Sequence, residues 1–323
     1  MALISQNQQP EKYTFSQQKR GQSPKIPQKK RKSKGLGLKF WGGLMLVLIV
    51  LAGGTFYWLS ESDASAVTKK VEQSTADTPI YILGVGLDDN TVPEADGLVV
   101  LSMNQEQQYG TVISVLPDIN ISESEDDPPQ LLGTAYQTGG IQALKEKVES
   151  TLHIFIPYYV VMRPSTAASW LNSRGKIEFY VEKDMYREAD SAVVVNLQQG
   201  FQKLDGDRAV SYLRYREEDG SGLARVQRQQ RLMKTYLEKL RTQQGWVNYV
   251  YTRKNWTPDE TNISAKDAAE IVRFLTDIPE EKLRYYITPG QYIQTENGGY
   301  WRPDPIGIQN IIGLTLRPDA PVQ

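Results

Sequence analysis

Between residues 80 and 116 three short apolar runs alternate with polar breaks. They are Ile80–Val85, Leu98–Met103 and Thr111–Leu116. Each is too short for a helix and is bounded by glycine, polar residues or Pro117, which predicts buried strands. The period then changes. Over Gly140–Leu152 the apolar residues Ile141, Leu144, Val148 and Leu152 recur at helical spacing. A strand is expected at Tyr158–Met162, a helix at Ser165–Leu171, and strands at Ile177–Val181 and Ala192–Leu197. Leu204-Asp205-Gly206-Asp207 opens a helix through about Leu213, with Asp205 or Asp207 as its cap. The longest helical pattern runs from Ala224 to about Arg241, with Val226, Met233, Leu237 and Leu240 available to a core. After Gly245 the pattern predicts a loop, a helix near Ala265–Leu275, a strand near Leu283–Ile287 and a last helix near Asp304–Ile312. Strands and helices mixed in this way predict an α/β fold, a mixed central sheet flanked by helices in α-β-α layers. No internal repeat interrupts it.

A different pattern precedes this region. Phe40–Leu59 holds twenty residues without a charge, about the length needed to cross the hydrocarbon of a bilayer. Trp41 stands near one end and Phe56, Tyr57 and Trp58 near the other, where interfacial aromatics belong. Lys29, Lys30, Arg31, Lys32, Lys34 and Lys39 lie just before it. The positive-inside rule then places the N-terminus in the cytosol and the chain beyond about residue 60 outside. Ala64-Ser65-Ala66 has the small-x-small form of a leader cleavage site, so a cleaved leader is the rival. The long apolar run and long preceding tail favour a single transmembrane anchor. The expected division is a basic disordered tail (1–39), the anchor (40–59), a stalk (60–77), a folded domain (78–245) and a C-terminal extension (246–323) packed on or continuing it.

Charge sharpens the division. Ten basic residues face one acid up to Lys39, leaving 27 basic and 37 acidic residues beyond it. A mildly acidic body argues against nucleic acid as a partner. The tail is too short and polar for a folded DNA reader, and suits topology or anionic lipid. The chain has no cysteine, which excludes thiol catalysis, disulfides and zinc–thiolate sites. His153, the one histidine, sits between a predicted helix and strand and reads as structural. Gly84-Val85-Gly86 lacks the helix start of a nucleotide fingerprint. The acidic stretch 122–130 lacks the spacing of a calcium loop.

The candidate chemistry lies in Arg214-Tyr215-Arg216 and Arg225-Val226-Gln227-Arg228-Gln229-Gln230. Guanidinium groups present a fixed fork of donors that matches phosphate oxygens. No acid lies between Arg225 and Arg231, although the same spacing also suits an ordinary solvated helix face.

From about Pro79 to Leu240 the chain resembles the LytR-CpsA-Psr family. The resemblance rests on the strand ending in Leu83-Gly84-Val85, on Asp96, on Ser114–Asp118, and on Ala135-Tyr136 with Gly139-Gly140. Most specific is Asp205-Gly206-Asp207-Arg208-Ala209-Val210-Ser211-Tyr212-Leu213-Arg214-Tyr215-Arg216 followed by the second arginine block. The resemblance implies an extracytoplasmic phosphotransferase. It would move a glycopolymer of teichoic acid or capsule type from a polyprenyl-pyrophosphate carrier to peptidoglycan at the cell membrane. It further implies that Arg214 and Arg216 are catalytic, that Arg214, Arg216, Arg225, Arg228 and Gln229 hold the pyrophosphate, and that Asp96 ligates Mg²⁺, with Asp88 or Asp89 as the replacement for a second carboxylate ligand through a shifted loop. A mostly apolar pocket would take the lipid tail. Positioned cations suit this chemistry because charge builds on the phosphoryl oxygens as the bond breaks.

Several motif positions depart from the family pattern. Gly86 stands where an aspartate is usual, Glu94 and Pro117 where arginines are usual, and Gly222 where a carboxylate is usual. One lost charge-assisted contact costs on the order of 1.5–3 kcal/mol. The departures therefore leave two functional expectations: transfer, or a weakened relative that binds polyprenyl phosphates or scaffolds wall assembly. A transcriptional regulator is a third reading, which the absence of a DNA reader in the tail disfavours.

Overall fold

The computed structural model describes residues 78–124, 127–189, 192–216, 222–295 and 298–317. The basic tail, the apolar run Phe40–Leu59 and the stretch 60–77 lie outside the described residues. Among the described residues no helix is long and apolar enough to cross a membrane.

Six strands form the central sheet: β1 (Ile80–Leu87), β2 (Ala95–Asn104), β3 (Tyr109–Val115), β4 (Tyr158–Met162), β9 (Glu260–Thr261) and β10 (Leu283–Ile287). Their order is β10-β3-β2-β1-β4-β9. β1, β2 and β3 pair antiparallel, while β4 joins β1 and β10 joins β3 in parallel. The sheet is therefore mixed. Its outer strand β10 comes from the C-terminal segment.

Alternation along the strands builds two apolar layers. Tyr81, Leu83 and Val85 of β1, with Leu98 and Val100 of β2, point to one face. Helix α1 (Ala135–Leu152) covers it with Ile141, Leu144, Val148 and Leu152, and α7 (Pro305–Leu316) adds Ile308. Ile82, Met103 and Val112 point the other way, to α6 (Ala265–Asp277) through Ala268 and Phe274. Coverage of both faces explains why every residue of β3 is buried. The residues of α1 begin at Ala135, before the predicted Gly140, but Gly139 and Gly140 leave helical geometry and kink it.

A smaller lobe sits beside this sheet. Strand β5 (Ile177–Val181) pairs with β8 (Gly200–Leu204), and β6 (Met185–Ala189) with β7 (Ala192–Leu197). The helices α2 (Pro164–Ser173), α3 (Gly206–Arg214) and α4 (Gly222–Arg241) complete the lobe. Its core joins Phe179 and Val181 to Tyr212, Leu232, Tyr236 and Leu240. Helix α4 is the spine of the molecule. Val226 enters the α1 layer, Met233 and Leu237 pack on the α6 layer, and Leu232 and Tyr236 enter the small lobe.

One sequence expectation needs correction. The segment after Gly245 is helix α5 (Gly245–Lys254), not a loop. Strands β6 and β8 and the hairpin β11 (Gly290–Thr295) with β12 (Gly298–Pro303) carry no apolar alternation strong enough to predict them.

Candidate functional site

The site begins with two helix ends. Asp205 caps α3, its side chain accepting from the Arg208 backbone N–H at 3.1 Å. The helix then delivers Arg214 in its last turn, with Arg216 just beyond. Helix α4 starts a few residues later and presents Arg225 from its first turns. Strand β2 approaches from the sheet, with Asp96 near its start. A Cβ at Gly97 would stand 3.2 Å from Gln229 Nε2. Glycine there lets α4 lie close against β2 and brings Gln229 over the strand beside Asp96.

Three guanidinium groups converge on Asp96. Arg216 Nη2 donates to Oδ1 at 2.7 Å, Arg225 Nη1 donates to the same oxygen, and Arg214 Nε lies 4.0 Å from Oδ2. Their exposures separate them. The side chains of Arg214 and Arg216 are 37% and 48% exposed, whereas Arg225 is at 1% and Asp96 at 14%. Arg214 also pairs with Asp89, and Arg225 Nη2 lies 3.8 Å from Asp118 Oδ2. Asp118 is held by the hairpin, since its carbonyl accepts from the Trp301 N–H at 2.7 Å. Three buried atoms in this cluster have no hydrogen-bond partner: Arg225 Nε, Arg225 Nη2 and Asp118 Oδ2.

The titration behaviour follows from this crowding. Burial alone would raise the Asp96 carboxyl, but Arg225, Arg216 and Arg214 together outweigh it and hold the group below its ordinary range. Burial pulls Arg225 below its ordinary value, with Asp96 opposing the shift; the group remains a cation at neutral pH. Glu94 moves the other way. Burial, then Asp88, Asp96 and Asp118, push its carboxyl up against the pull of Arg216.

The remaining expected residues occupy other places. Arg228 is fully buried and donates from Nη2 to the Tyr215 carbonyl, with its guanidinium 5.2 Å from the Tyr215 ring centre. It braces the segment between Arg214 and Arg216. Gln230 donates to Ser114 Oγ at 3.0 Å and to the Tyr286 carbonyl at 2.7 Å, tying α4 to β3 and β10. Asp88 is buried, and its own loop occupies its oxygens: the backbones of Asn90 and Glu94 and the Asn90 side chain donate to them. His153 ends α1 in the left-handed region at φ 54°. In the sequence Asp118 stands out only as the end of a strand motif. Nothing in the sequence signals its place beside Arg225.

Asp96 and Asp88 each have other partners in this arrangement. Asp96 Oδ1 is shared by two arginines and Asp88 is committed to its loop. Among the described residues no three His, Cys, Asp or Glu side chains form a group that could hold a metal. These donors as placed do not fit a resident ion, and no step is derived through one. The point that the three guanidinium groups face is the Asp96 carboxylate, and the same donors suit an oxyanion in its place, with Nε and Nη2 of the buried Arg225 still unused.

The model of the LytR_cpsA_psr family matches residues 57–311. An uncharacterised Staphylococcus aureus protein is 28% identical over 172 residues, 50% of this chain but only 42% of its own length. The Enterococcus faecalis polyisoprenyl-teichoic acid–peptidoglycan teichoic acid transferase TagU is 26% identical over 223 residues, 64% of this chain and 72% of its own. In fold, the crystal structure of Bacillus subtilis TagV superposes with a TM-score of 0.63 at 20% identity, over 76% of this chain and 99% of that one. The LytR-CPS2A-psr family protein TagT, with bound octaprenyl pyrophosphate lipid, gives 0.55 at 19% identity over 74% and 89%. The mixed α/β fold is shared with these structures, and the chain belongs to the LytR_cpsA_psr family.

Proposed function

We propose that this chain is a membrane-anchored, extracytoplasmic protein that binds a polyprenyl-linked diphosphate and transfers the attached glycopolymer phosphate to peptidoglycan. The observation that carries the reading is the convergence of Arg214, Arg216 and Arg225 on one point, with Arg225 buried. Support also comes from the relatives. One is a teichoic acid transferase by name, and another is a family member with octaprenyl pyrophosphate bound. In the transfer an acceptor hydroxyl oxygen forms a bond to the phosphorus that carries the polymer. The bond to the bridging oxygen breaks, polyprenyl monophosphate leaves with that oxygen, and the acceptor hydroxyl's proton passes to the departing phosphate or to water. Arg214 and Arg216, the two exposed arginines, are placed to meet the phosphoryl oxygens as charge grows on them. Arg225 fixes the direction of approach from below, and Gln229 stands beside it over Gly97.

Binding without transfer is the second reading. Five carboxylates, Asp88, Asp89, Glu94, Asp96 and Asp118, share the surroundings of these arginines and oppose an entering anion. One assay separates the two. The full chain in membranes receives lipid-linked glycopolymer and acceptor glycan, with and without Mg²⁺. Turnover that disappears in Arg216→Ala supports transfer, and retention of the lipid-linked polymer without product supports binding alone. If the polymer is neither retained nor turned over, both readings are wrong.

A further inference from the structure

The arginine cluster is not an open anion site. Its centre is already filled by a carboxylate of the chain itself. Asp96 Oδ1 takes one hydrogen bond from Arg216 and one from Arg225, and Oδ2 faces Arg214. An entering phosphate needs the same donors. Two neighbours do not share Asp96's position. Asp88 is held by its own loop, and Asp118 reaches only Arg225, at 3.8 Å.

We propose that Asp96 is an internal counter-ion that stands in the diphosphate's place, and that the ligand enters by exchanging its oxygens for this carboxylate. The inference rests on the diphosphate reading above and assigns Asp96 a role different from metal ligation. Its basis is the pairing geometry. Arg225 is buried in a place where an unpaired charge would be costly, so a resident anion keeps the free protein folded. Only one of Arg225's nitrogens is used by that anion, while Nε and Nη2 have no hydrogen-bond partner. A ligand with several anionic oxygens can fill all of them, which a single carboxylate does not. The exchange therefore favours a diphosphate over a monophosphate or a carboxylate. A ligand with fewer charges gains too little to release Asp96.

The test uses the full chain in detergent micelles, inorganic pyrophosphate and orthophosphate as probes, and calorimetric titration in EDTA and in Mg²⁺. Asp96→Asn keeps the shape and removes the competing charge. It should bind pyrophosphate at least tenfold more tightly than the unmodified chain in EDTA, and its preference for pyrophosphate over orthophosphate should narrow. Asp96→Glu retains the charge and should stay within about threefold of the unmodified chain. Should Asp96→Asn be too unstable for titration, the rise in melting temperature at a fixed pyrophosphate concentration gives the same ordering, because a ligand of the native state stabilises by its occupancy. Weaker binding by Asp96→Asn, or binding by the unmodified chain that appears only with Mg²⁺ and vanishes in the variant, overturns the exchange and returns Asp96 to a metal. Absence of pyrophosphate binding by every form, with and without Mg²⁺, overturns the diphosphate reading itself.

Discussion

Replacing Arg225 by methionine tests whether the cluster is a buried ionic centre or a surface decoration. The side chain is 1% exposed, touches Asp96 through Nη1 and lies 3.8 Å from Asp118 through Nη2. Methionine fills much of the stem's volume and removes the charge. Deleting one partner of a buried ion pair costs about 3–5 kcal/mol. Asp96 would keep Arg216 at 2.7 Å, so the lower end, about 3 kcal/mol, applies to this pair. For a domain of this size each kcal/mol moves the melting temperature by about 2–4 °C. Arg225→Met should therefore melt about 6–12 °C lower, by calorimetry or circular dichroism. Arg214→Ala is the contrast. Its side chain is 37% exposed and its pair with Asp89 faces solvent, so the loss should stay within about 1 kcal/mol. The decisive measurement is the cycle of Arg225→Met with Asp96→Asn. Residues in one ion-pair network couple by about 0.5–3 kcal/mol, so the double variant should recover part of the single loss. If Arg225→Met melts within about 2 °C of the unmodified chain and shows no coupling to Asp96, the pair is not a buried ionic centre and the reasoning from its burial fails.

Three other outcomes rest on different contacts. Gly206→Ala should lower the denaturant midpoint by the equivalent of about 1–3 kcal/mol, because a Cβ there collides with the Ala168 carbonyl and pushes α2 from α3. Tyr81→Phe should cost about 1 kcal/mol in urea titrations, since it removes a buried 2.6 Å hydrogen bond to Thr315 between β1 and α7. The third concerns pH. Asp96 is depressed below its ordinary 3.8, so its contribution is complete above that value and is lost as pH falls through the folded-state value. Glu94 is raised above its ordinary 4.5, so stability falls as pH rises from 4.5 through its folded-state value. Glu94→Gln should then stabilise at pH 7 and have no effect below about pH 4, and an equal effect at both would remove the explanation from burial and neighbouring carboxylates.

The parts of the fold that are legible in the sequence are those whose burial is apolar. Tyr158–Met162 and Ile177–Val181 fall on strands β4 and β5 with the expected ends, and Leu283–Ile287 on β10. In β5 burial alternates with the apolar residues Ile177, Phe179 and Val181, whereas β4 and β10 are runs of mostly apolar and aromatic residues around buried Val161 and Leu283. Helix α5 escapes such a reading because its inward face is polar. Its buried residues are Asn248 and Thr252, which accept from the Arg174 guanidinium at 3.0 and 2.8 Å. Trp246, Val247 and Val250 are exposed instead. A rule that reads apolar residues as the inner face inverts this helix. Strand β8 fails in a similar way, since Phe201 points to solvent.

For the site, the sequence shows which charges exist and on which elements, but not how they pair. The helical spacing of Arg225, Arg228 and Gln229 is visible, yet it does not say that Arg228 turns to the Tyr215 carbonyl while Arg225 turns to Asp96. That choice depends on where Tyr215 stands just past the end of α3, with its carbonyl within reach of Arg228. The same limit holds for Asp88 and Asp96. Both are aspartates near the ends of neighbouring strands, and a motif treats them alike. One closes a turn with the Asn90 and Glu94 amides; the other meets three cations. The difference is the local supply of donors. Where backbone N–H groups of a tight loop lie within reach, a carboxylate is used up by its own segment. Where none do, it is left for arginines from elsewhere in the chain. Under the exchange proposed above, a phosphate arriving at this site would compete with the second kind of aspartate and not the first, and Asp96 would set how much charge a ligand must carry to enter.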